Sequence, residues 1–169
     1  MLRPARPEDA LGMAQVHVTT WLQTYQGLVP RAYLDRLDVD DIGRRWRDRL
    51  APGSNRLTWV AEEDGGIVAY ASAGPEREGG QEFAQELYGI YVAPLWQARG
   101  LGRGLVHSLA GQLDASAGLL VWALKQNSAA RGFYEHLGGR WVREHELELD
   151  EFRLLEVAYG WEATADLLR

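Results

Sequence analysis

The chain has 169 residues, 46% hydrophobic and 25% charged, a balance that suits one soluble globular domain with a proper core. A net charge of −6 argues against non-specific nucleic-acid binding, and no apolar run reaches the ~20 residues of a membrane span. The lack of cysteine excludes disulfides, thiolate metal sites and a cysteine nucleophile; with no apolar leader in residues 1–9, the expected location is cytoplasmic.

Leu2 to Ala5 reads as a short edge strand. Pro7-Glu8-Asp9 then opens a helix, with apolar residues Leu11, Ala14, Val18, Trp21, Leu22 and Tyr25 at helical spacing until Gly27 and Pro30 end it. Arg31 to Leu37 and Asp40 to Leu50 read as two further helical pieces. Arg44, Arg45, Arg47 and Arg49 form a solvated face paired with nearby aspartates. After Pro52-Gly53-Ser54-Asn55 the period changes. Leu57 to Ala61 and Ile67 to Ser72 are strands, joined by an Asp-Gly-Gly hairpin signal. A polar loop, Pro75 to Gln81, leads to a strand that ends at Pro94.

The next helix runs from Leu105 to Leu113 and is expected to stop near Gly118, followed by an apolar central strand, Leu119 to Leu124. Asn127 to Leu137 reads as a helix with Gly138-Gly139 beyond its end. Alternating residues around Leu147, Leu149, Leu155, Val157, Tyr159 and Trp161 give two antiparallel final strands. The sum is one α+β domain over 1–169, with helices on a mixed, mostly antiparallel sheet.

The most informative stretch is the strand from Glu86 to Pro94 and the loop Gln97-Ala98-Arg99-Gly100-Leu101-Gly102-Arg103-Gly104. A helix start offers unpaired N–H groups and the positive end of its dipole to an anion. The glycines carry no side chain to bar its approach, and Arg99 and Arg103 add charge. The spacing rejects a dinucleotide fingerprint, because the third glycine position falls on Leu105 and Leu119 to Leu124 carries no acid. It also lacks the Gly-Lys-Ser/Thr of a P-loop. It meets Gln/Arg-x-x-Gly-x-Gly/Ala.

On that motif, and on Asn127-x-x-Ala130-x-x-Phe133-Tyr134 after the next strand, the chain resembles the GNAT superfamily of N-acetyltransferases. The resemblance covers essentially the whole chain and implies a twisted sheet of about six to seven strands flanked by about four helices. It departs at the end of the second motif, where Gly138-Gly139 stands in place of a frequent Gly-Phe. It implies that Gln97 to Gly104 hold the pyrophosphate of acetyl-CoA. The backbone of Ile90, Tyr91 and Val92 then pairs with the pantetheine arm, which Asn127 also contacts. Tyr134 stands near the CoA sulfur and protonates the leaving thiolate.

Direct transfer to an amine in a ternary complex is the economical mechanism, since no cysteine exists to carry an acyl group. Glu86, eleven residues before Gln97, is the candidate base, with an ordered water as the alternative. Strand alternation puts Glu82, Glu86, Tyr88 and Ile90 on one face unless the strand bulges. Trp21, Tyr25 and Glu82 are candidate acceptor contacts. His17, His107, His136 and His145 show no ligand spacing and no mutual assembly, so no metal is expected. The expected partners are acetyl-CoA and an amine, not nucleic acid or membrane, and a homodimer is compatible with the chain. A non-catalytic acyl-CoA-binding module is the competing reading.

Overall fold

The computed structural model describes residues 1–79 and 82–169. Seven strands form one sheet in the order β1-β2-β3-β4-β5-β7-β6. In chain order they are β1 (Leu2–Pro4), β2 (Leu57–Glu63), β3 (Gly66–Pro75), β4 (Gln85–Val92), β5 (Leu119–Leu124), β6 (Arg140–Leu149) and β7 (Phe152–Trp161). Only β4 and β5 run parallel; every other neighbouring pair is antiparallel. The helices are α1 (Ala10–Thr24), the single turn α2 (Arg31–Leu34), α3 (Val39–Arg49), α4 (Leu101–Ala110) and α5 (Ser128–His136). The mixed sheet and its helices match the expected α+β architecture.

The β2–β3 hairpin turns through Asp64 and Gly65 at φ 50° and 76°. Two successive left-handed residues are what a tight turn between twisted strands requires. The two faces of the sheet serve different helices. Ala69, Ala71 and Ala73 of β3 lie under Leu105 and Leu109 of α4, small residues that let a helix approach closely. On the opposite face Val60 and Tyr70 meet Met13 and Val16 of α1 and Trp46 of α3.

Two helix limits differ from the sequence expectation. Helix α4 begins at Leu101 rather than Leu105, so the loop glycines form its first turn. It stops at Ala110, capped by Gly111; Gly118 instead lies where a Cβ would come within 3.0 Å of the Phe83 ring. Helix α5 ends in a Schellman motif. Gly139 N–H donates to the Tyr134 carbonyl and Gly138 N–H to that of Glu135, with Gly138 left-handed at φ 84°.

Candidate active site

The site is built where β4 and β5 part. They pair only through Gln85–Leu119, Glu86–Leu120 and Leu87–Val121. Tyr88 is then an extra residue in β4, because Ser72 opposes Gly89 while Ala73 opposes Leu87. A bulge of this kind bends its strand and re-aims the residues beyond it. From Tyr88 onward β4 keeps β3 on one edge and turns the other away from β5, whose far edge is taken by β7. The unpaired backbone edge of Ile90, Tyr91 and Val92 thus borders a wedge-shaped opening.

The bulge also corrects the expected alternation. Ile90 and Val92 pack on the α4 and α5 side, with Leu87, whereas Tyr91 packs with Tyr70 on the α1 side. Glu86 therefore does not share a face with Ile90. Glu82 is also off the strand: it is exposed in the loop before β4.

At the mouth of the wedge, Pro94 to Trp96 form a 3-10 turn, and Gln97 Nε2 donates to the Val92 carbonyl at 3.0 Å. Ala98 and Gly100 take positive φ, 57° and 81°, and Gly100 is the N-cap of α4. The first bond within that helix is Gly104 N–H to Gly100 C=O, so the N–H groups of Leu101, Gly102 and Arg103 have no helical acceptor. A Cβ at Gly100 would enter open space, while one at Gly102 would come within 3.3 Å of Phe133 and one at Gly104 within 2.8 Å of Leu2. The last two glycines thus also serve close packing. Arg99 lies 4.9 Å over the Trp96 ring.

Asn127 caps α5, its side-chain oxygen accepting from Ala130 N–H at 3.1 Å, and brings Tyr134 into the wedge. The Tyr134 hydroxyl has no hydrogen-bond partner among the described residues. Burial, and then the phenols of Tyr25 and Tyr91, push its pKa well above the usual tyrosine range. Burial likewise raises Tyr25 and Tyr91. All three stay protonated at neutral pH, and Tyr134 is free to donate.

On the α1 side Glu86 is 1% exposed. Its Oε2 accepts from Arg77 Nε at 3.0 Å and from Arg77 backbone N–H at 3.2 Å, and Arg77 Nη2 holds Oε1. It is half of an ion pair, not an isolated carboxyl among apolar residues. Trp21 and Tyr25 pack with Tyr33, Leu34 and Leu124, their rings 4.5 Å apart, so they wall this side as part of a hydrophobic cluster. His17 Nδ1 lies 2.7 Å from the Tyr70 hydroxyl, its ring between Trp21 and Tyr91.

The expectation that the histidines assemble with nothing is overturned at His145. It stands 3.3 Å from both Glu156 and Glu78 and is stacked on Trp122. No sequence motif marks Arg77, Glu78 or Glu156 as site residues. The usable signal was the last hairpin: a tight turn at Asp150-Glu151 pairs Leu149 with Phe152 and carries His145 opposite Glu156. His107 and His136 are exposed on helix surfaces.

The family model of the acetyltransferase (GNAT) domain matches residues 54–138, which contain β2 to α5 and the whole wedge. An uncharacterized N-acetyltransferase of Bacillus subtilis (strain 168), YuaI, is 32% identical over 95% of this chain and 91% of its own. A probable N-acetyltransferase of Mycobacterium tuberculosis, Rv2775, is 29% identical over 82% of this chain and 81% of its own. Among solved structures, yncA from Salmonella typhimurium with its cofactor acetyl-CoA superposes with a TM-score of 0.68 over 95% of this chain and 92% of that one, at 22% identity.

Proposed function

Because the chain belongs to the GNAT superfamily of acetyltransferases, we propose that it moves the acetyl group of acetyl-CoA directly to an amine in a ternary complex. The reading rests above all on the parting of β4 from β5 beside the free N–H groups of α4. An extended pantetheine arm fits such an opening as an added strand against Ile90 to Val92, and the N-terminus of α4 suits the pyrophosphate.

Transfer needs a nitrogen lone pair, donors for the oxyanion and a proton for the departing thiolate. As the C–N bond forms and the C–S bond breaks, Tyr134 gives its proton to the sulfur. A β4 backbone N–H serves the acetyl oxygen. Glu86 draws the ammonium proton through a water, with Arg77 compensating its charge. Asn127, already the cap of α5, also lends its amide to the pantetheine arm, and the cell interior supplies the acetyl-CoA. A homodimer is compatible with this scheme, which places every proposed role within one chain.

Release of free thiol from acetyl-CoA, followed over a panel of amines, tests the reading. Turnover with at least one amine is the expected result. Tight acetyl-CoA binding without turnover for any amine would leave a binding module instead.

A further inference from the structure

Beside Glu86, the acceptor side of the sheet holds a chain of charged groups that acetyl transfer itself does not employ. His145 of β6 stands between two carboxylates, Nδ1 3.3 Å from Glu78 Oε1 and Nε2 3.3 Å from Glu156 Oε2. Its ring lies flat on Trp122, centroids 3.8 Å apart and planes 15° from parallel, which fixes its orientation. Arg143 covers Trp122 at 5.4 Å and reaches Glu78 at 3.7 Å.

The charges close evenly only when the imidazole of His145 is cationic. Glu86 is matched by Arg77 and Glu78 by Arg143. Among the described residues Glu156 has only His145 as an ion-pair partner, which it shares with Glu78. Carboxylates only accept, so both imidazole contacts are hydrogen bonds only when each ring nitrogen carries a proton. With a neutral imidazole one negative charge remains, and it sits on Glu156. That side chain is 17% exposed, and burial pushes its carboxyl above the usual range against the pull of His145. Arg77 and Glu86, and the phenols of Tyr25 and Tyr91, share its electrostatic field. Independently, Trp122 of the same face buries an indole N–H that has no acceptor among the described residues. Donors left alone in an apolar setting are a standing cost, which a ligand oxygen relieves.

We propose that Glu156, oriented by His145, which Glu78 holds from its other side, receives the ammonium group of the acceptor, at a site suited to a primary ammonium that carries a hydrogen-bond-accepting oxygen on an apolar body. An amino amide has this chemistry. The inference rests on the acetyltransferase reading for the side from which the acceptor enters. Glu156 acts in recognition and Glu86 in proton removal, so their substitutions separate: Glu156→Gln raises KM for the amine, whereas Glu86→Gln lowers kcat.

Calorimetry on the full chain saturated with CoA tests it without requiring turnover. The probes are L-phenylalaninamide and 3-phenylpropanamide, which lacks the ammonium. The wild-type protein is expected to bind the cationic amide at least about tenfold more tightly. Glu156→Gln brings the two within about twofold, Glu156→Asp keeps part of the preference, and His145→Gln weakens it. Equal affinity for both amides in the wild type, no binding of either, or an undiminished preference in Glu156→Gln overturns the proposal. Absence of thiol release from acetyl-CoA with any amine would instead count against acetyl transfer and leave the ammonium preference to stand or fall on its own.

Discussion

Arg77 holds both carboxylate oxygens of Glu86, one through its guanidinium alone and the other through guanidinium and backbone N–H together. Glu86 is buried while Arg77 is more than half exposed, so the pair is anchored in the sheet and open to water at the loop. A buried ion pair adds little beyond its own desolvation cost, but removing one partner strands the other charge. Arg77→Gln is expected to destabilise by about 2–3 kcal/mol, less than a wholly buried pair because water reaches the vacated side. At ~2–4 °C per kcal/mol the melting temperature should fall by roughly 4–12 °C. Glu86→Gln in the same chain should recover much of that loss. Simple addition of the two single effects would show that the pair is not coupled.

Tyr134 is buried, its hydroxyl is unengaged by protein, and its phenol is held protonated by its surroundings. If it supplies the proton to the leaving thiolate, Tyr134→Phe lowers kcat by about 10²-fold, the lower range for a positioned acid, with acetyl-CoA affinity almost unchanged. Because burial pushes the phenol upward, wild-type kcat should show no alkaline fall from this group up to about pH 10, its ordinary value. Single-turnover thiol release and equilibrium binding of CoA separate the two effects. An unaltered rate would reduce Tyr134 to packing.

Much of this was legible in the sequence because it lies in local signals. The Asp-Gly hairpin, the glycine loop before α4 and the Asn127 cap are each specified by a few neighbouring residues. The sequence pattern starts α4 four residues late because glycines weigh against a helix in isolation, whereas here Gly102 and Gly104 let α4 approach Phe133 and Leu2. The bulge at Tyr88 depends on how β4 registers against β3, a long-range pairing with no local marker, so the face of Ile90 could not be read. Arg77 and Glu78 reach the site from the loop before β4. Their partners, Glu86 and His145, are far enough along the chain that only the sheet order joins them.

Gly139 is where the chain departs from the Gly-Phe common in its family, and the structure gives the position a strict requirement. A Cβ there would lie 2.9 Å from the Tyr134 carbonyl and 2.8 Å from the Trp161 ring, and the first of these is backbone that cannot swing aside. The same carbonyl accepts the Gly139 N–H that closes α5. Gly139→Ala should therefore cost about 1–3 kcal/mol as an overpacked site and displace the turn carrying Tyr134. Loss of kcat accompanying the loss of stability is the expected outcome in thermal unfolding and kinetic assays. Gly132→Ala, with nothing within 4 Å of its Cβ and a helical position, should leave both intact or add slightly to stability. A Gly139→Ala protein as stable and active as the wild type would show that the carbonyl can yield.

His17 gives the fold an acid-sensitive point. Burial, helped by the charge of Arg49, lowers its pKa from 6.5 to about 4, so the folded chain keeps the ring neutral against Tyr70 while the unfolded chain protonates it first. A depressed pKa of this sign contributes stability that is whole above pH ~6.5 and is lost as pH falls toward 4, where both states bind the proton. At about 1.4 kcal/mol per unit, the loss attributable to this ring is at most ~3.5 kcal/mol across that window. Chemical denaturation at pH 7.5 and pH 4.5 measures it. In His17→Gln, which keeps a polar partner for the Tyr70 hydroxyl, the drop between those two pH values should shrink by most of that amount. Asp9, which Arg3 holds ionised below its ordinary 3.8, loses its contribution only below that window and adds almost nothing to the drop. A variant that declines as steeply as the wild type would remove His17 from the acid response.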